Sequence, residues 1–298
     1  MATAVRNQHR SSEDHMAHSN PGFSQSPAFS NNANDLAKWQ NAQAAERQPV
    51  VNGGMTAEQL QQMYSQPSAS PVDTDRMTYE DTIAKTVGAF AVLLVGAVAG
   101  WWIPGLWIVG GLVGFGLAMA NIFKKRPSGA LVLAYAGFEG LFVGGISAFF
   151  DTRYPGIVPQ AVFGTLGVFA VTLALFASGK VRASKRATQI FLVAMVGYAA
   201  YTLVNIGLQI FGVGAASGDF GLSSIKLFGF LPIGAVIGIV VVLLAAYSLV
   251  LDFTQIKVGV DRGAPRIFGW QAAFGLVVTI VWLYTEILRF LAILRGNN

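Results

Sequence analysis

Residues 270–293, WQAAFGLVVTIVWLYTEILRFLAI, are the stretch that decides the fold. A transmembrane helix needs about 20 predominantly apolar residues, and this stretch is long enough. It nevertheless contains a carboxylic acid, Glu286. A charged side chain at mid-bilayer costs about 2.5–3.5 kcal/mol, so such groups are normally paired, neutral or beside a water path. The stretch therefore predicts a membrane-spanning helix that carries a functional acid.

Six further apolar stretches precede this one. The composition agrees with a membrane protein, since 53% of the 298 residues are hydrophobic and only 12% are charged. We therefore predict an all-α polytopic membrane protein, a seven-transmembrane-helix bundle. The six other predicted spans are 82–103, 106–123, 129–150, 160–178, 188–212 and 228–252.

The N-terminal quarter has a different character. Residues 1–76 are rich in Ser, Asn, Gln, Ala and Pro, which predicts a disordered tail. The tail contains no apolar segment of the kind that a secretory signal needs. Residues 77–298 form the predicted membrane domain, which opens with Thr78 as a plausible helix N-cap. Its excess of positive charge lies in short loops, which points to membrane topology rather than to nucleic-acid binding.

The basic residues alternate between loops in a way that predicts orientation. The loops after the second, fourth and sixth spans carry ten Lys and Arg residues, whereas the other three loops carry only Arg153 and Lys226. Because basic loops stay in the cytoplasm, we expect a cytoplasmic tail and an external C-terminus. The ten residues are Lys124, Lys125, Arg126, Lys180, Arg182, Lys185, Arg186, Lys257, Arg262 and Arg266.

Several classes of function are disfavoured by what the sequence lacks. The chain has no cysteine, and its three histidines, His9, His15 and His18, all lie in the tail. Thiol chemistry is therefore excluded, and the membrane part has no imidazole to bind a metal or to sense protons. No HExxH, GxSxG or P-loop motif is present. We expect neither an enzyme nor a cofactor.

Small residues recur at four-residue spacing, which predicts closely packed helices. The pattern is clearest in the third span, where Ala136, Gly140 and Gly144 share one face. It also occurs at Gly110 and Gly114 and at Gly234 and Gly238. No internal repeat is evident, and this disfavours an inverted-repeat transporter.

Three acids and one base lie in apolar surroundings: Glu139, Asp252, Glu286 and Arg289. Each has a structural alternative. Asp252 would reach the wet interface from the end of its span, Glu286 would pair with Arg289 three residues on, and Glu139 would bond to Tyr135 or to a carbonyl. All three being structural is the less favoured interpretation, because intramembrane acids usually serve function.

Two facing acids would provide a switch without histidine. Sharing one proton, they would hold two helices together; both ionised, they would repel each other or bind a hard cation such as calcium. In the fifth span, Asn205 and Gln209 are expected to be interhelical hydrogen-bond partners rather than ligands.

Five segments resemble the Bax inhibitor-1 (transmembrane Bax inhibitor motif) family, more narrowly its bacterial YccA-like branch common in actinobacteria. The resemblance implies a seven-helix bundle with a central last helix and a pair of acids that gates a proton-sensitive calcium leak. Asp252 matches the first acid, and Glu286 matches the second with Glu in place of Asp. The segments are MTYED (77–81), EGLFVGGIS (139–147), LDF (251–253), WQAAFGL (270–276) and WLYTEILR (282–289).

The spacing of the two acids departs from that expectation. Asp252 and Glu286 are 34 residues apart. In a tight hairpin turning near Gly263, Asp252 would face Phe274, roughly 18 Å along the helix from Glu286. The acids would meet only if about ten residues of 257–269 looped out.

We therefore expect a pH-sensitive cation channel, with calcium as the favoured ion, in a bacterial plasma (inner) membrane. Asp252 and Glu286 would form the gate and bind the ion, Glu139 and Tyr135 would line or support the path, and Arg289 would tune Glu286. The alternative is a non-transporting regulator that binds a membrane protease or another membrane complex, with the tail as the docking segment. A proton-coupled small-molecule transporter is a third interpretation. The expected partners are the bilayer, protons, calcium and a membrane protein, but no nucleic acid.

Overall fold

The computed structural model describes residues 75–103, 105–212, 220–227 and 231–296, and the single positions Ala37, Asn41 and Gln61. The predicted tail, residues 1–76, therefore lies outside the described residues, except for those three positions and its last two residues. Seven helices in the described ranges are long and apolar enough to cross a membrane, which confirms the predicted all-α membrane fold.

The helices keep the predicted order with shifted ends. A short antiparallel pair of strands, β1 (Lys226–Leu227) and β2 (Leu231–Pro232), precedes the sixth helix, and single turns of 3-10 helix cover Gly221–Ser224 and Arg266–Phe268. The helices are α1 (Tyr79–Trp102), α2 (Leu106–Phe123), α3 (Gly129–Arg153), α4 (Ile157–Ala177), α5 (Lys185–Ile210), α6 (Ile233–Asp261) and α7 (Gly269–Gly296).

The last helix is the central one. In the most apolar window of α7, 61% of the residues are buried, against 11% for α2 and for α5. Helices α1, α3, α4 and α6 all pack against α7. This arrangement agrees with the central last helix that the family resemblance implies, and it places Glu286 in the core of the bundle.

Close packing of α3 depends on its glycines, as the spacing predicts. A Cβ atom at Gly140 or Gly144 would overlap the carbonyl oxygen of Leu93 or Ala97 on α1. On the other side, a Cβ atom at Gly110 of α2 would lie 2.7 Å from the carbonyl oxygen of Phe138. These contacts let three backbones approach closely, which is how small residues stabilise helix pairs in lipid.

The start of the folded part is tied to the connection between α6 and α7. The Met77 amide donates to the carbonyl oxygen of Ala264 at 2.7 Å, and the Arg266 amide donates to the carbonyl oxygen of Asp75 at 2.8 Å. The Thr78 hydroxyl accepts from the Asp81 amide at 3.1 Å, so Thr78 is the N-cap of α1 as predicted. The folded part therefore includes the last two residues of the predicted tail.

Helix α6 differs most from its predicted span, 228–252. It begins five residues later, because the strand pair and Pro232 precede it, and it continues nine residues further, to Asp261. Within this extension Lys257 and Asp261 form an ion pair at 2.5 Å, so the charges that suggested a loop lie on one face of the helix. Only seven residues, 262–268, connect α6 to α7.

Candidate functional site

Asp252 lies inside the bundle on α6. Its side chain is fully buried, at 0% exposure, and its Oδ2 atom accepts a hydrogen bond of 2.6 Å from the Thr279 hydroxyl of α7. The Ser248 hydroxyl lies 3.4 Å from that of Thr279. The alternative in which Asp252 reaches the wet interface is therefore wrong, because α6 does not end at this residue.

The register of the α6–α7 hairpin decides which residues the acids meet. Asp252 bonds to Thr279, five residues beyond the Phe274 expected from a tight turn. The connection is longer because the 3-10 turn Arg266–Phe268 separates Gly263 from α7. From Thr279 to Glu286 is seven residues of α7, about 10 Å along its axis. These bonds therefore keep the two acids apart along the axis of α7 rather than side by side.

Glu286 is the centre of a cluster that joins α5 to α7. Its Oε2 accepts from Arg289 Nη2 at 2.7 Å and from Arg289 Nε at 3.1 Å, so the intrahelical ion pair considered from the sequence is present. The Tyr198 hydroxyl of α5 donates to Oε1 and accepts from Arg289 Nη2 at 3.0 Å. Trp282 Nε1 lies 3.4 Å from Oε1. Glu286 is 7% exposed and satisfied by charge-assisted bonds.

A cavity of about 360 Å³ adjoins this cluster on the side away from the basic loops. The Asn205 Oδ1 atom accepts from the Leu222 amide at 2.7 Å, and the Tyr201 and Ser223 hydroxyls are 2.7 Å apart. Asn205 thus anchors α5 to the 3-10 turn after it rather than to another helix. The polar residues that line the cavity are Tyr198, Thr202, Asn205, Gln209, Ser223, Thr285, Glu286 and Arg289.

Two buried glutamines lie between Asp252 and the basic loops and add polar groups there. Gln255 lies one turn from Asp252 on α6, and Gln271 lies two turns before Thr279 on α7; each is 6% exposed. Both amide atoms of Gln255 and the Oε1 atom of Gln271 have no hydrogen-bond partner among the described residues. Buried amides are nearly always paired with protein or water, so these atoms are candidates to solvate an ion or water.

Glu139 and Tyr135 of α3 face different neighbours. The Tyr135 ring is buried and packs edge-to-face on Phe274 of α7, with ring centroids 5.0 Å apart. The Glu139 side chain points toward α2, since a Cβ atom at Gly114 would lie 2.9 Å from its Oε2 atom. Tyr135 therefore supports the central helix, and Glu139 sits at the contact between α2 and α3.

Sequence reasoning missed Tyr198 and Thr279, which hold the two acids. Tyr198, Thr202, Asn205 and Gln209 recur at spacings of four, three and four residues. That spacing places polar groups on one face of an apolar helix, so it was a usable signal for Tyr198. Thr279 has no such signal. Within the described ranges no three His, Cys, Asp or Glu residues are close enough to hold a metal ion.

Fold and site together define a seven-helix membrane protein with a buried acid on its central last helix. Residues 20–296 match the family described as Bax inhibitor 1 like, and the chain belongs to that family. The match begins inside the predicted tail and covers all seven membrane-spanning helices. A search of curated proteins found no match.

Proposed function

We propose that this protein is a cation leak channel that opens when protons neutralise a buried carboxylate. The observation that carries the proposal is a row of buried polar side chains on the central helix α7 and its neighbour α6. On α7 the row consists of Gln271, Thr279 and Glu286, at spacings of eight and seven residues, which keeps them on one face. Asp252 and Gln255 extend the row from α6.

The chemistry of this row suits a hard cation. Carboxylate, amide and hydroxyl oxygens are the ligands that calcium prefers. One binding site for the cation, which we call a station, would consist of Asp252, Gln255 and Thr279. It would lie in the half of the bundle near the basic loops. Glu286 would form the second station, at the mouth of the polar cavity, which cations pass while its carboxyl group is neutral. Calcium is thus the ion to test first, and other cations follow from the same ligand set.

Arg289 supplies the gate in this proposal. Its guanidinium group lies on Glu286 and Tyr198, where its charge opposes the entry of cations. Protonation of Glu286 would remove one charge of the ion pair and weaken its hold on Arg289 and Tyr198, because a charge-assisted bond is about twice as strong as a neutral one. Once released, Arg289 would move out of the path, so flux should rise as the pH falls.

We place the protein in a bacterial plasma membrane, with the tail and the basic loops in the cytoplasm. It acts on ions and protons, without an enzymatic step or a cofactor. The tail would remain available to bind a membrane-protein partner. If the protein is instead a non-transporting regulator, the tail carries its function and the buried row only stabilises the bundle.

The test is calcium influx into liposomes that contain the full chain, recorded from pH 6 to pH 8. Glu286→Gln mimics the protonated acid, so flux should be high and no longer depend on pH. Asp252→Asn removes the charge of the first station, so flux should be low at every pH. Asp261→Asn is the matched control, because it removes an exposed acid from the same helix and should behave like the wild type.

Two results would refute the proposal. Unchanged pH dependence in both Glu286→Gln and Asp252→Asn would remove the buried acids from the gate. Absence of flux for calcium, sodium and potassium, from a folded and correctly inserted protein, would favour the regulator. Recovery of a membrane-protein partner only when residues 1–74 are present would then support that alternative.

A further inference from the structure

A second cavity, of about 550 Å³, opens on the outside of the bundle between α1 and α4. We call it the α1–α4 groove. Its rim includes Ile83, Val87 and Leu166, whose side chains are 61%, 62% and 56% exposed. Because these helices have the length and hydropathy to span a membrane, the groove faces lipid. Its floor is formed by Phe253 and Leu276 of the two core helices.

The wall of the groove is suited to hydrocarbon. Three of its lining residues are threonines, and each donates its hydroxyl to its own helix: Thr82 to Thr78 at 2.7 Å, Thr86 to Thr82 at 2.8 Å and Thr165 to Ala161 at 2.8 Å. Their hydroxyls are thus satisfied by backbone carbonyls. A polar or hydrated ligand would lose hydrogen bonds here, whereas an alkyl chain would lose none.

The end of the groove near the basic loops carries positive charge. The Arg182 guanidinium carbon lies 4.4 Å from the ring centroid of Phe176, which lines the groove. Lys257 follows the lining residue Ile256 on α6 and lies near Arg182, whose like charge it repels, and near Tyr79, another lining residue.

The charge balance at this end remains positive. Asp261 pairs with Lys257, which leaves one net positive charge among Arg182, Lys257 and Asp261. The exposed Glu80 beside the lining residue Tyr79 is a further acid at this end. The loop that holds Arg182 adds further positive charge within four residues, at Lys180, Lys185 and Arg186.

We propose that the α1–α4 groove binds an anionic glycerophospholipid. One acyl chain would occupy the apolar channel between Phe90 and Phe169, and the phosphate would lie on Arg182 and Lys257. A lipid of this class matches both halves of the site, because its chain needs the apolar wall and its headgroup needs the cations. A hydrophobic peptide would match only the wall. The proposal does not depend on ion conduction.

The experiment measures lipid selectivity in reconstituted bilayers. Spin-labelled phosphatidylglycerol and phosphatidylcholine are compared for the fraction that the protein immobilises. The wild type should prefer phosphatidylglycerol, and Arg182→Ala with Lys257→Ala should reduce that preference by on the order of five-fold per cation removed. Lys124→Ala with Lys125→Ala is the matched control, since it removes two exposed cations from another basic loop and should keep the preference.

A second pair of variants tests the apolar half. Val87→Trp fills the groove from its exposed rim and should lower the number of immobilised phosphatidylglycerol molecules, whereas Val95→Trp, at a 72% exposed valine further along α1, should not. The proposed lipid site would be refuted by an equal loss of preference in both double-alanine variants, or by no effect of Val87→Trp. Anionic lipid would then be attracted only by the general charge of a basic surface.

Discussion

Glu286 differs from an ordinary ion-paired acid because one of its partners comes from another helix. Arg289 lies on the same helix, so that pair would form in an isolated α7. The Tyr198 hydroxyl comes from α5 and bonds to both members of the pair. The charge state of one side chain therefore influences how strongly α5 is held against the core.

Tyr198→Phe should loosen this junction. Interhelical hydrogen bonds in membranes contribute about 0.6 kcal/mol on average and at most about 1.7 kcal/mol. We expect a value near the upper end, because both partners of the Tyr198 hydroxyl are charged. Unfolding in mixed micelles measures this cost, and calcium influx at pH 8 should increase at the same time.

The control is Tyr201→Phe, which removes a hydroxyl from the same helix whose hydrogen bond is to the neutral hydroxyl of Ser223. It should cost about 0.6 kcal/mol and leave the pH dependence of influx unchanged. If the two variants behaved alike, the Tyr198 hydroxyl would have no special connection with the ion pair.

At single residues, the sequence identified the acids and the Glu286–Arg289 pair, but not the partners of the acids on neighbouring helices. A carboxylate in an apolar run is conspicuous because of its cost in lipid, so Asp252 and Glu286 were visible at once. Threonine bonds to its own helix almost anywhere in a span, so nothing distinguishes Thr279 until the register of the hairpin is known. That register depends on the seven residues that connect α6 and α7.

Helix α3 is held by backbone contact, whereas α5 is held largely by polar side chains. Only Thr188, Phe191 and Asn205 of α5 are buried. Thr188 bonds to the Tyr247 hydroxyl at 2.9 Å, and Asn205 bonds to the turn after the helix. An element with few buried apolar contacts opens at a low free-energy cost, so α5 is the helix that can respond to Glu286.

Gly144→Ala on α3 should destabilise the bundle strongly. The new methyl group would overlap the carbonyl oxygen of Ala97, and backbone atoms cannot move aside as a side chain can. Overpacking of this kind costs about 1–3 kcal/mol. Thermal unfolding in detergent measures the loss.

Gly137→Ala is the control on the same helix, because its Cβ atom would make only an ordinary 3.6 Å contact with Val92 Cγ1. It should be neutral, or stabilising by up to about 1 kcal/mol through higher helix propensity. A loss equal to that of Gly144→Ala would show that close α1–α3 approach does not determine stability.

The sequence predicted the seven helices and their order well, because a helix that crosses the bilayer needs a long run of apolar residues. It failed at the end of α6, where Asp252 suggested the membrane surface. There, Lys257 and Asp261 continue the helix as a pair one turn apart. Charged residues end a span only where they meet water, and the sequence alone does not give that position.

In the whole molecule, the basic loops, the α1–α4 groove and the Gln255–Asp252 station lie toward one end of the bundle, and the Glu286 cavity lies toward the other. A path along α7 would therefore be asymmetric. In the proposed orientation, an external cation meets Arg289 and Glu286 first and Asp252 second. External acid should open the gate more effectively than internal acid.

In the proposed function the direction of gating depends on orientation, and a chain without cysteine is well suited to measuring orientation. Lys125→Cys and Thr152→Cys place single thiols at exposed positions near opposite ends of α3. In intact cells a membrane-impermeant maleimide should label Thr152→Cys at once, and Lys125→Cys only after permeabilisation, because basic loops stay in the cytoplasm. Reversed labelling would place Glu286 on the cytoplasmic side, and acid from inside the cell would then be the signal that opens the path.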